Sequence, residues 1–359
     1  IKKYFPKNSK SSMDKIVKLS NTYPPVVSCK PFVLTPRLMG VMERIAAALV
    51  SRSPILVCGN IGVGKSLCVR ATAWLCGIGD MKYCCLTPEL EPTALVGQIL
   101  PDSRTGQVNW VDGIITDSIR HDTWVLLDNV NQADSSCLER LNPVLEDPAQ
   151  WVLTENGETV ALEIDENFRI LATANIGDGA STGELSPAFY NRFSNIFMSE
   201  FEKSEIDFLV HGLLGTREGS VVQPIIKLCC RIYSILIEDR KLFGIRTISR
   251  MLDSAYLLAC SADDTVQSPL LQSVVLAAKA CIVSQCKSEN LKKKLSQAIE
   301  EEISPVVITI SQNLLELRSS TGNEYVMTDT REGYARSVLC FIKCGFPVLL
   351  EVNFARLIV

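Results

Sequence analysis

The segment Gly59-Asn60-Ile61-Gly62-Val63-Gly64-Lys65-Ser66 fits G-x4-G-K-S/T in full. Its glycines let the backbone curl until several N–H groups point into one anion hole. A helix opening at Ser66 would add the positive end of its dipole to that hole. Lys65 could reach the β- and γ-phosphates of a nucleoside triphosphate, and the Ser66 hydroxyl could ligate Mg²⁺. The expected nucleotide contacts are Gly59, Asn60, Ile61, Gly62, Val63, Gly64, Lys65, Ser66 and Leu67. Further along, Trp124-Val125-Leu126-Leu127 is an apolar run closed by Asp128. A carboxylate at the C-terminal end of such a strand could hold the Mg²⁺ through water, so Ser66 and Asp128 are the expected metal residues.

These groups need elements to position them. Thr35-Pro36 supplies a cap and a first-turn proline for a helix over 37–52. Pro54 opens the buried strand Ile55–Cys58, and Ser66–Cys76 reads as the helix after the loop. Strand, Gly-rich loop and helix in this order are the context a phosphate-binding loop requires. Strands are expected at Tyr83–Leu86, Thr123–Leu127 and Phe168–Ala172. Helices are expected over 112–121 and, with a serine cap, over 135–146. Asn156-Gly157 predicts a β-hairpin over 151–164. Strands alternating with helices argue for a parallel α/β sheet covered on both faces. After about residue 200 the pattern turns mainly helical, with stretches at 225–238, 270–284 and 291–302. The Lys292–Lys294 run reads as a solvated face.

Composition narrows the function classes. The chain has 359 residues, a net charge of −4, 47% hydrophobic and 21% charged residues, and a pI of about 5.5. No basic excess signals a nucleic-acid or anionic-membrane surface. No apolar run reaches the roughly 18–20 residues that span a bilayer. The 14 cysteines form no C-x2-C pair, and only His121 and His211 could assist them. Free, buried thiols in a reducing compartment are expected rather than a zinc site. Residues 1–31, Lys- and Ser-rich at their start, read as an arm or linker. One repeat is visible: Phe32–Thr35 followed by Pro54-Ile55-Leu56 matches Tyr325–Thr328 followed by Pro347-Val348-Leu349 in register, without a gap.

Several further segments carry a family resemblance. They are Leu95-Val96-Gly97, Val108–Gly113, Leu138–Glu146, Ala172-Thr173-Ala174-Asn175, Leu185–Phe193 and Ile245–Arg250. With the loop and the Trp124–Asp128 strand, residues 32 to about 255 resemble the dynein-related AAA+ group, which holds the midasin-like and MoxR-like ATPases. The midasin-like modules are the nearer match. The resemblance implies an AAA+ core over 32–200, a parallel sheet sandwiched by helices. It also implies a helical lid over 201–305, and the repeat reads as the start of a second copy over 306–359, truncated or diverged. ATP and Mg²⁺ are the implied cofactors. Neighbouring AAA+ modules in a ring, in the same chain or an oligomer, are the implied partners. A protein or ribonucleoprotein substrate follows, with large ribosomal subunit assembly in the nucleus as the setting.

The resemblance also implies residue roles. Asn175 is similar to the sensor that positions the attacking water. Arg192 is similar to the arginine finger offered to a neighbouring nucleotide, and Arg246 to a lid arginine on the γ-phosphate. Arg250, one turn from Arg246, could exchange roles with it. The 151–164 hairpin resembles the insertion such proteins carry on their second helix. One position departs from the pattern. The family places glutamate after the strand-end aspartate, as the base that activates water; here Asn129 stands there. An amide cannot accept a proton at neutral pH. Slow or absent hydrolysis is therefore expected, with Asn129 able only to orient a water. An active motor or MoxR-like chaperone module, a partner-docking module with a relict loop, and a GTPase remain alternatives.

Overall fold

The computed structural model describes residues 33–79, 81–101, 107–176, 185–214, 219–238, 245–260, 269–286, 288–303, 338–339 and 342. The expected arm over 1–31 and nearly all of the expected second copy over 306–359 lie outside them. The chain divides into two units, Ile1–Glu200 and Phe201–Val359.

The first unit is built on a five-stranded sheet of β1 (Ile55–Gly59), β2 (Met81–Cys85), β5 (Trp124–Asp128), β6 (Ile170–Asn175) and β7 (Ser194–Met198). Its order is β2-β5-β6-β1-β7, and every pairing is parallel. A parallel sheet is covered on both faces, so its strands read as unbroken apolar runs. Here the period of two separates those runs into two cores. Ile55 and Val57 of β1, Leu126 of β5 and Leu171 of β6 face one cluster, shared with Leu38, Met42, Ile45 and Val69. Leu56 and Cys58, Val125 and Leu127, and Ile170 and Ala172 face the other. Each large, fully buried aliphatic side chain among them contributes about 1.5–3 kcal/mol.

The helices follow from local signals. In α1 (Pro36–Val50), the Thr35 hydroxyl accepts from the Leu38 N–H at 3.3 Å, Pro36 opens the first turn, and Leu38, Val41, Met42, Ile45 and Leu49 make the buried stripe. Helix α2 (Lys65–Leu75) starts directly from the Gly-rich loop. Helices α3 (Pro92–Val96) and α4 (Ile114–Arg120) bury Leu95, Val96, Ile115 and Ile119 in one cluster. Between them projects an antiparallel hairpin, β3 (Gly97–Pro101) and β4 (Val108–Asp112). The Gly113 N–H donates to the Val96 carbonyl at 3.0 Å, closing the excursion.

Two expectations are corrected here. The described hairpin is Gly97–Asp112, between α3 and α4, and not residues 151–164. That second segment precedes β6 and forms only one bridge, Val152 with Ala161. Its turn is the 3-10 stretch Thr154–Asn156 ending in left-handed Gly157, so the chain closes without a strand ladder. Trp151 nevertheless anchors it, fully buried, with its indole N–H donating to the Thr116 hydroxyl at 2.9 Å. The expected single helix over 135–146 is two short ones, α5 (Ser135–Glu139) and α6 (Asn142–Leu145). Pro143 has no N–H to continue a helical ladder through that point. Asp134, not a serine, stands at the cap position, without a side-chain cap bond.

Gly97 is a test of how firmly the hairpin is held. Its φ of 132° and ψ of 171° suit glycine almost alone. An added Cβ would lie 2.5 Å from the Trp110 ring and 2.6 Å from the Val111 carbonyl oxygen. Gly97→Ala is expected to cost about 2 kcal/mol, read as a lower urea midpoint. An unchanged midpoint would show that the hairpin unfolds independently of the sheet.

The second unit is helical: after α7 (Pro187–Tyr190) come α8 (Lys203–Leu214), α9 (Gly219–Glu238), α10 (Ile245–Cys260), α11 (Pro269–Cys281) and α12 (Glu289–Glu302). These bury one cluster of their own, including Ile206, Ile225, Cys229, Met251, Val274 and Leu295. Lys293 and Lys294 of α12 are exposed, as a solvated face requires, and Lys292 is half-buried. No described helix is long and apolar enough to cross a membrane.

Candidate functional site

The polar groups gather where the parallel strands end. Gly59 ends β1 and pairs with Asn175, which ends β6. Asp128 ends β5 and pairs with Cys85, which ends β2. In an open α/β sheet, ligands bind in the crevice outside the carboxyl ends of the strands. Gly59 packs so closely that a Cβ there would lie 2.5 Å from the Met198 carbonyl oxygen of β7. Gly64, with φ 95°, turns the chain into α2, and no side chain caps that helix start. Its first N–H groups therefore point from the loop with the dipole behind them.

Lys65 is only 6% exposed. Its ammonium donates to the Gly59 carbonyl at 2.9 Å, the Asn60 carbonyl at 2.8 Å and the Asn175 Oδ1 at 2.7 Å. The side chain thus spans from the loop to the end of β6. Asn60 in turn donates to Glu200 at 2.5 Å. Arg37 of α1 ties the loop to the chain beyond β7, donating to the Ser199 carbonyl at 2.9 Å and the Val63 carbonyl at 3.4 Å.

The Ser66 hydroxyl donates to the Asp128 Oδ1 at 2.6 Å. With its proton so directed, the serine oxygen presents its lone pairs outward, as a ligand to a cation must. Asp128 is 8% exposed and receives two further hydroxyls, Thr173 on Oδ1 and Tyr83 on Oδ2 at 2.9 Å. Burial and the Asp128 hydrogen bond together push the Tyr83 phenol up to about 12. Hard oxygen donors beside a phosphate loop fit Mg²⁺, which is held by one or two protein oxygens plus substrate phosphates. The residues present therefore fit a magnesium nucleotide: Lys65 and the loop N–H groups for phosphate, Ser66 and Asp128 for the metal.

Asn129 follows Asp128 with left-handed backbone, φ 60° and ψ 48°, a region where asparagine is enriched. Its Oδ1 accepts from the Asn175 side-chain amide at 2.9 Å, and its own amide donates to the Cys85 sulfur at 3.6 Å. Asn131 completes the group, accepting from the Asn175 N–H at 3.0 Å and donating to its carbonyl at 3.0 Å. Lys65, Asn175 and Asn129 thus form one hydrogen-bonded line. None of its three members is a carboxylate, and an amide in the middle of this line can orient a water but not deprotonate it.

The contacts of Arg192 lie apart from this line. Arg192 follows α7, which Ser186 caps by accepting from the Phe189 N–H at 3.2 Å. Phe189 and Phe193 anchor the segment, their rings 5.1 Å apart. The Arg192 guanidinium donates to Glu146 at 2.7 Å and 3.3 Å and to the Ala188 carbonyl at 2.6 Å. Arg246 is exposed in the first turn of α10, in the second unit, with Arg250 exposed one turn on. Ile61 of the loop and Leu67 in the first turn of α2 are also exposed.

Reasoning from residue types and spacing misses Thr173, Tyr83 and Asn131. Thr173 has a signal: two residues before Asn175, it lies on the same face of a strand that is otherwise apolar up to that asparagine. Tyr83 and Asn131 have none, because only the β2–β5 register and the turn after β5 bring them to the site.

A family model described as an AAA domain of the dynein-related subfamily matches residues 54–193. Residues 54–193 are a dynein-related AAA domain. Midasin of Dictyostelium discoideum is 29% identical over 188 residues, 52% of this chain and 3% of that protein. Midasin of Giardia intestinalis is 31% identical over 171 residues, 47% of this chain and 3% of its own length. Protein CbbQ of Hydrogenophilus thermoluteolus is 28% identical over 153 residues, 43% of this chain and 55% of that one. The chain therefore spans about 3% of the length of the midasins it matches. The AAA domain accounts for the sheet topology described above, and the matches relate this AAA+ module to midasin and CbbQ.

Proposed function

We propose that this AAA module binds MgATP at the carboxyl ends of β1 and β5 and hydrolyses it slowly or not at all. The observation that carries the reading is the line Lys65–Asn175–Asn129, in which phosphate-binding and water-orienting groups are joined and none of the three is a general base. Lys65 and the loop from Gly59 to Leu67 bind the phosphates. Ser66 and Asp128 hold the Mg²⁺, and Mg²⁺ when bound neutralises charge on the phosphate oxygens. Asn175 and Asn129 orient the attacking water. Loss of a general base costs about 10²–10⁴-fold in rate, which makes the module a nucleotide-dependent structural or regulatory element. Arg192 would act on the nucleotide of a neighbouring module in a ring, and Arg246 on the γ-phosphate from the helical unit as a lid. A protein or ribonucleoprotein substrate, and work on the large ribosomal subunit in the nucleus, belong to the proposal on the strength of the resemblance to midasins alone.

The experiment is phosphate release from γ-labelled ATP with protein in excess and Mg²⁺ present, beside a filter count of retained ATP. Retained ATP without release supports the binding-only module. Prompt release would move the active motor to first place. No retention would leave a partner-docking module with a relict loop.

Arg192 provides a second check. It is satisfied within its own chain by Glu146, and a partly exposed pair of this kind contributes about 0–1 kcal/mol. Arg192→Ala is expected to leave ATP retention by the isolated chain within about twofold of wild type and to abolish any stimulation by added neighbouring modules. A large loss of retention in the isolated chain would mean that Arg192 serves its own site.

A further inference from the structure

We infer that Tyr83 is a positioning residue for the metal carboxylate, its phenol fixing Asp128 in the orientation that MgATP binding requires. The inference rests on the nucleotide reading above and adds a residue to it. The carboxylate of Asp128 turns about a broad, two-fold terminal torsion unless both oxygens are held. Ser66 and Thr173 hold Oδ1. Among the described residues, Tyr83 is the side chain that donates to Oδ2, at 2.9 Å.

The fold aims the phenol there. Cys85 pairs with Asp128 across β2 and β5, and Tyr83, two residues back, lies on the same face of β2. Diagonal neighbours across a pair are within reach of an aromatic side chain. Arg70 of α2 lies over the ring, its guanidinium carbon 4.4 Å from the centroid. The ring is therefore held from the helix that also carries Lys65 and Ser66. Tyr83 remains 44% exposed, so core packing does not account for the hydroxyl. Its contacts are those of a group that steers its neighbour, and outer partners of metal ligands typically matter by about 10–100-fold in metal affinity.

Tyr83→Phe removes the one hydroxyl and keeps the ring and the Arg70 contact. ATP binding is measured by filter retention over a series of Mg²⁺ concentrations and again in excess EDTA, with the thermal midpoint recorded. The Mg²⁺ concentration for half-maximal retention is expected to rise about tenfold, with ATP affinity in EDTA and the thermal midpoint unchanged. Arg70→Gln, which frees the ring, is expected to shift the Mg²⁺ requirement in the same direction by less. An unchanged Mg²⁺ requirement in Tyr83→Phe would overturn the inference while leaving the nucleotide site intact. A loss of EDTA-phase binding or of thermal stability equal to the Mg²⁺ effect would also overturn it, in favour of a structural role. Absence of Mg²⁺-dependent retention in the wild-type chain would remove the nucleotide reading itself, and this inference with it.

Discussion

Asn129→Glu is expected to raise the rate of phosphate release by about 10²–10⁴-fold, the usual contribution of a general base. The substitution places a carboxylate beside Asn175, at the end of the line that reaches Lys65. Its cost is also legible. Asn129 sits at φ 60°, where a residue other than Gly, Asn or Asp loses about 1 kcal/mol. A modest drop in thermal midpoint should therefore accompany the gain in rate. Asn129→Asp avoids the backbone cost but carries a shorter acid, so it should be as stable as wild type and gain less. The measurement is single-turnover release with protein in excess and Mg²⁺ present, neighbouring modules being supplied. A glutamate variant that retains ATP and releases phosphate at the wild-type rate would sink the claim that Asn129 limits hydrolysis.

Lys65→Ala should weaken ATP retention by about 3 kcal/mol, roughly a hundredfold in Kd, as expected when a buried charge loses its hydrogen-bonded partner. The side chain joins the loop to β6 through Gly59, Asn60 and Asn175. Removing it also withdraws a donor from two loop carbonyls, each bond worth about 1 kcal/mol. The nucleotide-free protein should therefore lose stability as well, in a denaturation series without ATP. Lys65→Arg is no rescue, because a planar fork cannot replace a compact ammonium in that enclosed position. Retention within a few-fold of wild type in Lys65→Ala would refute the phosphate role of the loop.

Much of this site is legible in the order of residues alone. The loop from Gly59 to Ser66 carries its chemistry in residue types at fixed spacing, and the buried strands around it are continuous apolar runs. Asp128 and Asn175 can be placed because each ends such a run. The hairpins are less legible. Asn156-Gly157 is a strong turn signal, yet the buried Trp151 and a single bridge decide that segment's path. The real hairpin, Gly97–Asp112, has exposed apolar side chains at Ile99, Leu100, Val108 and Val111. Its alternation is therefore blurred on the one described strand pair that lies off the main sheet. Pro143 sits in plain view within 135–146, but amphipathic spacing on either side of it masks the break. Tyr83 depends on strand register, which no local pattern encodes.

That register limits how such a module can change. Side chains alternate with a period of two, so one residue gained or lost inside β1, β5 or β6 would exchange the two faces of the strand. Ala172 would trade places with Thr173, and the hydroxyl that reaches Asp128 would sink among aliphatic neighbours. Length is therefore frozen in the strands, as it is in the Gly59–Ser66 loop, whose chemistry depends on fixed spacing. Chemistry at this site can be lost or regained only by replacement at fixed addresses, and the Asp128-Asn129 pair is one of them. The proposed difference between a motor and a clasp then lies in one side chain at position 129 rather than in the architecture around it.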